Sequence, residues 1–402
     1  MIDFQLTPEH DDVARAARDW AAREIAPKIR EWDEKALYDP AVGRQLGELG
    51  FLGICVPRRW GGSGFDYVAL GLVCEELEYV DTFLRVFLSV HTGLNSLSLL
   101  AWGNDDQKER YLVPQARGEK LAGYALTEPN AGSDAVGLGS TAERRGDVYL
   151  LNGEKTWISL AEVADNFLVI AWTDLEKKKR RDHSGLSAFI VERGFRGVTT
   201  GSVHGKMGVR AGNTGWLAFH ETPVPAANLL GNEGEGFKIA MFALDQGRYT
   251  VAAGATGLVR ACRDASVRYA LERTTAGRPI AEHQLVKQMI AQMEGDYEAC
   301  RLLWLRAGWL KNIGRRNTRE TSLAKWRATV SSETAAGNAV QVFGAYGCSN
   351  ESPVERFYRN CKAAVIYEGT REIHTLVQAD YALGYRQDRP TRCALPPWEP
   401  EP

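Results

Sequence analysis

The chain of 402 residues has only seven cysteines and seven histidines, and neither set has the spacing of a metal site. The cysteines are odd in number, scattered, and contain no Cys-x-x-Cys pair. Disulfide frameworks and structural zinc sites both need cysteines at regular, short spacings. The sequence therefore predicts no bound metal and reduced thiols, as in the cytoplasm.

The chain also has almost no net charge, because its 49 basic residues nearly balance its 51 acidic ones and leave a formal charge of -2. A nucleic-acid partner or an anionic membrane would favour a large basic excess. We see no apolar run long enough to span a bilayer. Residues 1–4 are acidic overall and have neither a secretory nor an Arg-rich transit pattern. We therefore expect no nucleic-acid partner, no membrane and a cytoplasmic location.

What the chain does have is the ordinary balance of a soluble globular protein, with 44% hydrophobic and 25% charged residues. Its length predicts two or three domains. Helical periodicity dominates residues 1–120, short β-rich runs dominate 121–233, and long amphipathic stretches return over 234–386. Residues 387–402 form a Pro-rich tail that we expect to be extended or disordered. The pattern predicts a small β-domain between two helical domains.

Local motifs predict particular elements within these regions. Thr7 followed by Pro8 is typical of a helix start, with Thr as the cap and Pro in the first turn. The β-rich run at residues 148–151 leads into Asn-Gly at 152–153, which predicts a tight hairpin. The basic run at residues 177–181 indicates a solvated hairpin loop. Its functional alternative is a surface that attracts a phosphorylated ligand.

One segment near the end of the chain has the features of a catalytic site. An apolar run at residues 363–366 leads through Tyr367 to the carboxylate of Glu368, and Gly369 and Thr370 follow. Thr370 is a good helix cap, and glycine lets the backbone approach another group closely. A carboxylate at the end of an apolar segment is poorly solvated, which raises its pKa and makes it a stronger base. The alternative is a glutamate that merely lies near a helix N-terminus.

Two polar segments of the β-rich region suit a cofactor. Residues 124–134 offer hydroxyls and free backbone N–H groups around Gly132, which suit a planar polar ring or a phosphate, although the segment is equally a turn. In residues 155–159, Trp157 stands between two hydroxyls, where it can stack on a flat cofactor or join the core. Neither segment is a Gly-x-Gly-x-x-Gly or phosphate-loop motif, so a nucleotide cofactor would bind in another way.

The order of these motifs resembles the acyl-CoA dehydrogenases over nearly all of residues 1–385. Thr-Glu-Pro-Asn-Ala-Gly-Ser-Asp comes first, Asn-Gly-Glu-Lys-Thr-Trp-Ile-Ser second, and Tyr-Glu-Gly-Thr last. The resemblance implies an α+β fold with an N-terminal helical domain, a middle β-barrel or sandwich domain and a C-terminal four-helix bundle. It also implies FAD, an acyl-CoA substrate, electron-transfer flavoprotein as acceptor and a homotetramer.

The resemblance further implies a role for individual residues. Glu368 matches the base that takes the α proton of the thioester while the β hydrogen leaves as hydride to the flavin, which yields a trans-2-enoyl-CoA. Some branches of the family carry the base on the helix of Asp245 and Arg248, but the corresponding residue here, Gly247, cannot serve. Residues implied to contact the FAD of their own subunit are Tyr124, Leu126, Thr127, Ser133, Trp157, Ser159, Thr370 and Glu372. Residues implied to reach the FAD of a neighbouring subunit are Arg273, Gln284, Gln341 and Gly344. Residues implied to contact the substrate are Ser133, Asp245, Arg248, Tyr367 and Gly369.

The acyl group itself is indicated by residues 78–89. Arg85 and Ser89 lie one helical turn apart, and Glu78 lies two turns before Arg85. An arginine in an apolar acyl pocket needs an anion, because a buried unpaired charge is costly. Glutaryl-CoA dehydrogenases are similar here, with Glu, Arg and Ser at these spacings around the distal carboxylate. The sequence thus suggests a short, dicarboxylyl substrate. Alternatively the substrate is a general short-chain, medium-chain or branched acyl group, and Arg85 pairs with Glu78 or Asp81 and faces solvent or a subunit contact.

Two other functions fit the sequence less well. Flavin oxidases of this fold are usually longer, and hydroxylating relatives tend to lack the glutamate of Tyr-Glu-Gly-Thr. DNA-associated relatives of the alkylation-response type carry a strongly basic C-terminal region, whereas the tail here is Pro-rich with mixed charge. A dehydrogenase is therefore the leading hypothesis.

Overall fold

Helices, one sheet and more helices follow one another along the chain, which a computed structural model describes over residues 5–400. This order confirms the predicted α+β class, with helical first and last regions and a β region between them. The expectation drawn from residues 1–4 lies outside the described residues.

The N-terminal region is a set of short helices around one long hydrophobic hairpin. Thr7 caps the first helix by accepting a hydrogen bond from the backbone N–H of His10, and Pro8 opens it, as predicted. The side chains of Asp66 and Asp81 cap the two helices of the hairpin. The helices are α1 (Pro8–Trp20), α2 (Ile29–Lys35), α3 (Ala41–Glu48), α4 (Tyr67–Val80), α5 (Thr82–Leu88), α6 (Leu97–Trp102), α7 (Asp105–Gln107) and α8 (Val113–Ala116).

The helix Thr82–Trp102 combines α5, the π-helical segment Ser89–Ser96 and α6. Among the described residues it is the one helix long and apolar enough to cross a membrane, so the expectation of no such run was wrong. An 18-residue apolar window of this helix is 94% buried inside the protein. It packs against β1 and α10, defined below, and forms part of the core.

The middle region is one eight-stranded sheet. Its strands are β1 (Ala122–Ala125), β2 (Thr141–Arg145), β3 (Val148–Ser159), β4 (Asn166–Trp172), β5 (Leu186–Glu192), β6 (Val198–Ser202), β7 (Thr214–Pro225) and β8 (Leu229–Leu230). The order is β6-β7-β3-β2-β4-β5-β8, and β1 pairs with β4 in parallel. Every residue of β4 is buried, which explains its unbroken apolar sequence.

The predicted hairpin at Asn152 and Gly153 was wrong, because β3 runs straight through this dipeptide. Pairing between β3 and β7 shifts register between Leu151 and Gly153. Gly153 has a φ of 134°, and a Cβ there would lie 2.8 Å from the Cα of Ser140. The glycine therefore serves a β-bulge and a close backbone approach. The turn that joins β2 to β3 contains Gly146 instead.

The basic run forms most of a short helix, α9 (Leu175–Lys179), between β4 and β5, so the predicted hairpin loop was wrong in form. Its solvated character is confirmed for Lys179 and Arg181, which are exposed. Arg181 also donates two hydrogen bonds of 2.7 Å to Asp134. This pair ties the segment directly after α9 to the loop that carries Ser133.

The C-terminal region is a bundle of long helices followed by the Pro-rich tail. Its helices are α10 (Gly236–Glu272), α11 (Gln284–Asn312), α12 (Thr318–Phe343), α13 (Val354–Ala364) and α14 (Arg371–Ala382), and the two-stranded pair β9 (Thr274–Thr275) and β10 (Arg278–Pro279) links the first two. The 37 residues of α10 pack against α4, α11 and α12. This helix therefore joins the N-terminal region to the bundle.

The tail is extended, as predicted, and it is docked along the protein. Arg392 donates hydrogen bonds of 2.8 and 2.5 Å to the two carboxylate oxygens of Glu235. The carbonyl of Pro396 accepts a 2.7 Å hydrogen bond from the Tyr67 hydroxyl, and Leu395 is buried. The tail therefore bridges both helical regions, which local composition alone did not predict.

Removing residues 387–402 should lower the midpoint of thermal unfolding. The burial of Leu395 and the hydrogen bond to Tyr67 together contribute on the order of 2 kcal/mol. Arg392→Ala in the full chain is the control and should cost less, because that arginine is half-exposed. Differential scanning calorimetry measures both effects, and an unchanged midpoint for the truncated chain would contradict the docked position.

Candidate active site

Glu368 lies in a left-handed turn between α13 and α14. Its φ is 54° and that of Gly369 is 98°, a conformation that is costly for a residue with a side chain. Two helices hold the turn in place. Arg248 of α10 donates a 3.0 Å hydrogen bond to the Glu368 carbonyl, and Lys325 of α12 donates one of 2.6 Å to the Gly369 carbonyl. The alternative that Glu368 merely lies near a helix N-terminus does not account for this double attachment.

The carboxylate of Glu368 is enclosed but only partly bonded. Ser89 donates a 3.2 Å hydrogen bond to Oε1 and also lies 2.6 Å from the hydroxyl of Thr250. Oε2 is buried and has no hydrogen-bond partner among the described residues. Burial raises the pKa of Glu368, while the positive charges of Arg85 and Lys325 oppose that rise. An enclosed, unpartnered carboxylate oxygen is well suited to accept a proton.

Space for this carboxylate exists because residue 247 of α10 is glycine. A Cβ on Gly247 would lie 2.2 Å from Oε2 of Glu368 and 2.6 Å from the Cδ2 of Leu94. Helix α10 therefore passes directly beside the carboxylate. The Glu368 carboxylate can occupy its position only because residue 247 has no side chain.

Asp245 and Arg248, both predicted to contact the substrate, lie beside the turn. Arg248 donates a 3.0 Å hydrogen bond to Oδ1 of Asp245, and Thr318 donates one of 2.7 Å to Oδ2. These groups form a polar edge next to Glu368. Ser133, which was also predicted to contact the substrate, is exposed on its loop.

Arg85 and Glu78 form a buried ion pair on the N-terminal side of the site. Their side chains are 1% and 0% exposed, and Arg85 Nε donates to Glu78 at 2.6 Å. Arg85 also donates to the hydroxyl of Tyr367 and lies 5.2 Å from the centre of its ring. The predicted pairing with Glu78 is therefore present, whereas the alternative of a solvent-facing Arg85 was wrong. Asp81 pairs instead with Arg356, at 2.9 Å.

A second glycine of α10 makes room for this pair. A Cβ on Gly254 would lie 2.2 Å from Glu78 Oε2 and 2.6 Å from Arg85 Cγ. Gly254 and Gly247 lie two turns apart on one helix face. The carboxylate of Glu368 and the pair of Arg85 with Glu78 thus each lie against a position of α10 that carries no side chain.

The two polar segments of the β region meet, as their predicted common role requires. The backbone N–H of Thr156 donates a 2.9 Å hydrogen bond to the carbonyl of Thr127. Beneath them, buried Lys155 donates to Glu128 at 2.7 Å and to the carbonyl of Leu126 at 3.2 Å. Burial lowers the pKa of Lys155 to about 8, and Glu128 opposes this. The buried pair fixes the loop against β3.

Trp157 is 61% exposed and has a φ of 59°, so the alternative of a core tryptophan was wrong. It lies at a second register shift between β3 and β7, and a bulge turns a side chain away from its normal direction. Tyr124 and Leu126 are buried nearby, and Ser159 is half-buried. A Cβ on Gly132 would meet nothing within 4 Å. The exposed ring and the open polar loop fit a planar polar group.

Thr370 and Glu372 lie at the start of α14, directly after the Glu368 turn. The hydroxyl of Thr370 accepts a 3.3 Å hydrogen bond from the backbone of Ile373, as its predicted capping role requires. Glu372 is exposed and bonded to Arg371, which lowers its pKa to about 2. Their predicted contacts with a cofactor stay predictions.

Four predicted residues do not join this site. They lie at the opposite end of the bundle, where Tyr269 of α10 stacks on Phe343 of α12 with ring centres 4.2 Å apart. From Arg248 to the end of α10 at Glu272 the helix rises about 36 Å, so residues at that end cannot touch Glu368 of the same chain. All four are exposed, namely Arg273, Gln284, Gln341 and Gly344. Their contact with a neighbouring subunit stays a prediction.

Sequence reasoning missed four residues that the structure brings to the site. Thr250 and Gly254 lie on α10, Lys325 on α12 and His374 on α14. His374 lies 2.8 Å from the hydroxyl of Ser322 and close to Gly369. Only Lys325 could have been noticed from the sequence, because it is a lysine within the apolar face of α12. The sequence did not indicate which group its side chain would contact.

Three family models match this chain in the order of its three regions. "Acyl-CoA dehydrogenase, N-terminal domain" matches residues 7–119, the middle domain matches 123–222, and the C-terminal domain matches 234–383. Together the three matches cover most of the chain, and each falls on one of the regions seen in the structure.

Individual proteins are similar over nearly the whole length. The short-chain specific acyl-CoA dehydrogenase of Clostridium acetobutylicum is 39% identical over 94% of this chain and 98% of its own. The glutaryl-CoA dehydrogenase of Desulfococcus multivorans is 38% identical over 96% and 99%. A solved structure from work on the electron transferring flavoprotein of Acidaminococcus fermentans has a TM-score of 0.92 and 39% identity, and the match covers 95% of this chain and 100% of that one.

Proposed function

The chain belongs to the acyl-CoA dehydrogenase family of oxidoreductases, and from that premise we propose that it oxidises a short acyl-CoA thioester with FAD as cofactor and Glu368 as base. The observation that carries the proposal is the enclosed Oε2 of Glu368, which has no partner among the described residues. Ser89 occupies the other carboxylate oxygen, so the free oxygen can accept the proton.

The residues present fit a flavin. Trp157 offers an exposed ring beside the polar loop, Tyr124 and Leu126 give a buried floor, and the space at Gly132 is open. When bound, FAD supplies the acceptor for the hydride that leaves the β carbon. The fit also supports the resemblance-based prediction of FAD as cofactor.

The residues of the chain handle the proton. Glu368 takes the α proton of the thioester, and burial strengthens it as a base by raising its pKa. Arg248 and Lys325 hold the turn so that the carboxylate stays aimed at one place. The backbone N–H of Glu368 is the group that would polarise the thioester carbonyl. The product is the trans-2-enoyl-CoA.

The proposal extends to partners and location. Electron-transfer flavoprotein is the acceptor, which the similarity to the Acidaminococcus structure supports. A homotetramer would give the four exposed residues at the far end of the bundle a cofactor to contact. A cytoplasmic location agrees with the free thiol state of all seven cysteines.

For the acyl group, we propose a second carboxylate at its distal end. Ser89 contacts Glu368, and Arg85 lies one helical turn away, a rise of about 6 Å. A substrate with its α carbon at Glu368 would thus reach the Arg85 and Tyr367 pair after a few methylene groups. The similarity to a glutaryl-CoA dehydrogenase supports this substrate. The second candidate is a general short-chain substrate with Arg85 structural, since Glu78 already neutralises it.

Anaerobic reduction of the flavin by glutaryl-CoA and by butyryl-CoA separates the two candidates. We expect glutaryl-CoA to be preferred, and Arg85→Gln to slow it by about 10- to 150-fold, the worth of one hydrogen bond to a charged group. The same variant should change the butyryl-CoA rate little. Equal rates for both substrates, unaffected by Arg85→Gln, would contradict the dicarboxylyl substrate. Reduction by neither would point to a branched, aromatic or longer acyl group.

A further inference from the structure

Three cationic side chains surround Glu368, and two of them already have an acidic partner. Arg85 is paired with Glu78 at 2.6 Å. Arg248 is paired with Asp245 at 3.0 Å. Each of these arginines therefore forms a neutral unit that needs no charge from Glu368.

The third cation, Lys325, differs from both arginines. Its side chain is fully buried, and its Nζ donates to the neutral carbonyl of Gly369 at 2.6 Å. It forms no ion pair with any carboxylate in residues 5–400. A buried ammonium without a counter-ion costs several kcal/mol, so a compensating negative charge is expected nearby.

Other groups around the turn do not supply that charge. His374 is neutral, because burial lowers its pKa to about 2. Glu372 is exposed and bonded to Arg371, so solvent screens it from Lys325. Burial raises the pKa of the remaining titratable groups that face the site, so they stay neutral; they are Tyr124, Tyr367 and Cys74.

We propose that Lys325 is the counter-charge of Glu368, held one peptide away through the Gly369 carbonyl, and that it keeps this carboxylate ionised between turnovers. The inference rests on the proposed role of Glu368 as base. Lys325 acts through Glu368 and does not itself touch the reacting atoms, so it is a positioning residue. When Glu368 has taken the α proton, Lys325 loses its enclosed counter-ion, and release of the proton to solvent restores it.

The titration behaviour of the two groups agrees with this pairing. Burial lowers the pKa of Lys325 to about 7 and raises that of Glu368. Each charged form opposes the shift of the other, because Lys325 favours the carboxylate and Glu368 favours the ammonium. Loss of the lysine charge should therefore make Glu368 harder to ionise.

A set of three variants separates charge from hydrogen bonding. Lys325→Gln keeps a donor for the Gly369 carbonyl and removes the charge, Lys325→Met removes both, and Lys325→Arg keeps both. In the pH profile of anaerobic flavin reduction, the acidic limb reports ionisation of the base. We expect Gln and Met to move this limb to higher pH by about 1 to 3 units, and Arg to restore it. An unmoved limb in Lys325→Gln would show that the lysine only holds the turn, and would overturn the proposal.

Infrared spectroscopy of the holoenzyme tests the pair without any turnover. The carboxylic-acid band of Glu368 is identified by its absence in Glu368→Gln, and its pH titration gives the ionisation midpoint. The midpoint should be higher in Lys325→Met than in wild type. If wild type shows no flavin reduction but this difference is found, the proposed reaction fails and the pair stands. Equal midpoints would refute the pair, whatever the activity.

Lys311 provides a matched control. It is also buried, donates at 2.6 Å to the neutral side-chain oxygen of Gln246, and has a pKa that burial lowers to about 8. It makes no hydrogen bond to the Glu368 turn. Lys311→Met should leave both the acidic limb and the infrared midpoint unmoved. A shift as large as that of Lys325→Met would mean that any buried cation acts on Glu368, and would contradict a specific partner.

Discussion

Replacing Glu368 with glutamine is expected to slow reduction of the bound flavin by acyl-CoA about 10²- to 10⁴-fold, the usual contribution of a general base. Glutamine has nearly the same shape, and its amide oxygen can occupy the place of the carboxylate. It cannot take the α proton, however, and no other unpaired carboxylate lies against the turn in the described residues. Stopped-flow absorbance under anaerobic conditions measures the rate directly.

Two further measurements test whether the lower rate of Glu368→Gln comes from loss of the base. Acyl-CoA binding by Glu368→Gln, followed by calorimetry, should remain close to wild type, because the polar edge of Asp245 and Arg248, which is predicted to contact the substrate, is untouched. Glu368→Asp keeps a base but withdraws it by one methylene group, so its rate should lie between those of the other two proteins. A wild-type rate in Glu368→Gln would place the base elsewhere and remove the basis of the proposed function.

The helical regions could be predicted from the sequence because their determinants are local. A cap at Thr7 with Pro8 next to it identifies a helix start wherever it occurs, and the long C-terminal helices show their buried faces as a period of about 3.6 residues. The β-rich run at residues 148–151 and three further runs, at residues 167–172, 186–191 and 216–219, likewise lie in strands. Elements of this kind carry enough information within ten to twenty residues to define themselves.

The predicted hairpin at Asn152 and Gly153 failed because its outcome depends on a distant segment. The dipeptide can adopt a tight turn, but here β7 pairs with β3 on both sides of it. The close approach of Ser140 to Gly153 uses the same freedom of glycine in another way. Docking of the tail on Glu235 and Tyr67 could not be predicted for the same reason. Both partners are distant in the sequence, and the residues around position 392 do not indicate either of them.

The candidate site also contains residues that the local sequence indicates and residues that depend on distant segments. Glu368 and Arg85 stand out in the sequence because each is a charge in an apolar setting, a local contrast. The residues that adapt the surroundings to them, Gly247, Gly254 and Lys325, look ordinary in their own helices. Their importance lies in distances to residues that are far away in the chain, from 44 positions for Lys325 and Gly369 to more than 100 for the two glycines, and the helix packing sets these distances. Sequence reasoning found the charged groups and noted that Gly247 cannot act as a base, but it missed the steric role of Gly247 and did not find Gly254 or Lys325.

Gly247→Ala should reduce the rate of flavin reduction about 10²-fold or more, although the change adds one methyl group and leaves Glu368 in place. The new Cβ would lie 2.2 Å from Oε2 of Glu368 and 2.6 Å from Leu94, closer than real Cβ atoms come to other heavy atoms. The carboxylate is the movable partner, so it rotates away from the position at which Ser89 holds it. A displacement of about 1 Å at a reacting group is enough for a loss of this size.

Gly295→Ala in α11 is the matched control, because a Cβ there would meet nothing within 4 Å. That variant should keep the wild-type rate and gain about 0.5 to 1 kcal/mol of stability from the better helix propensity of alanine. In Gly247→Ala the calorimetric midpoint tells a displaced carboxylate from a damaged fold, and we expect the rate to fall much further than the stability. If Gly247→Ala were as active as Gly295→Ala, the carboxylate could not occupy the space beside α10 during the reaction. The base would then work from another position, and the steric relation between residues 247 and 368 would have no catalytic consequence.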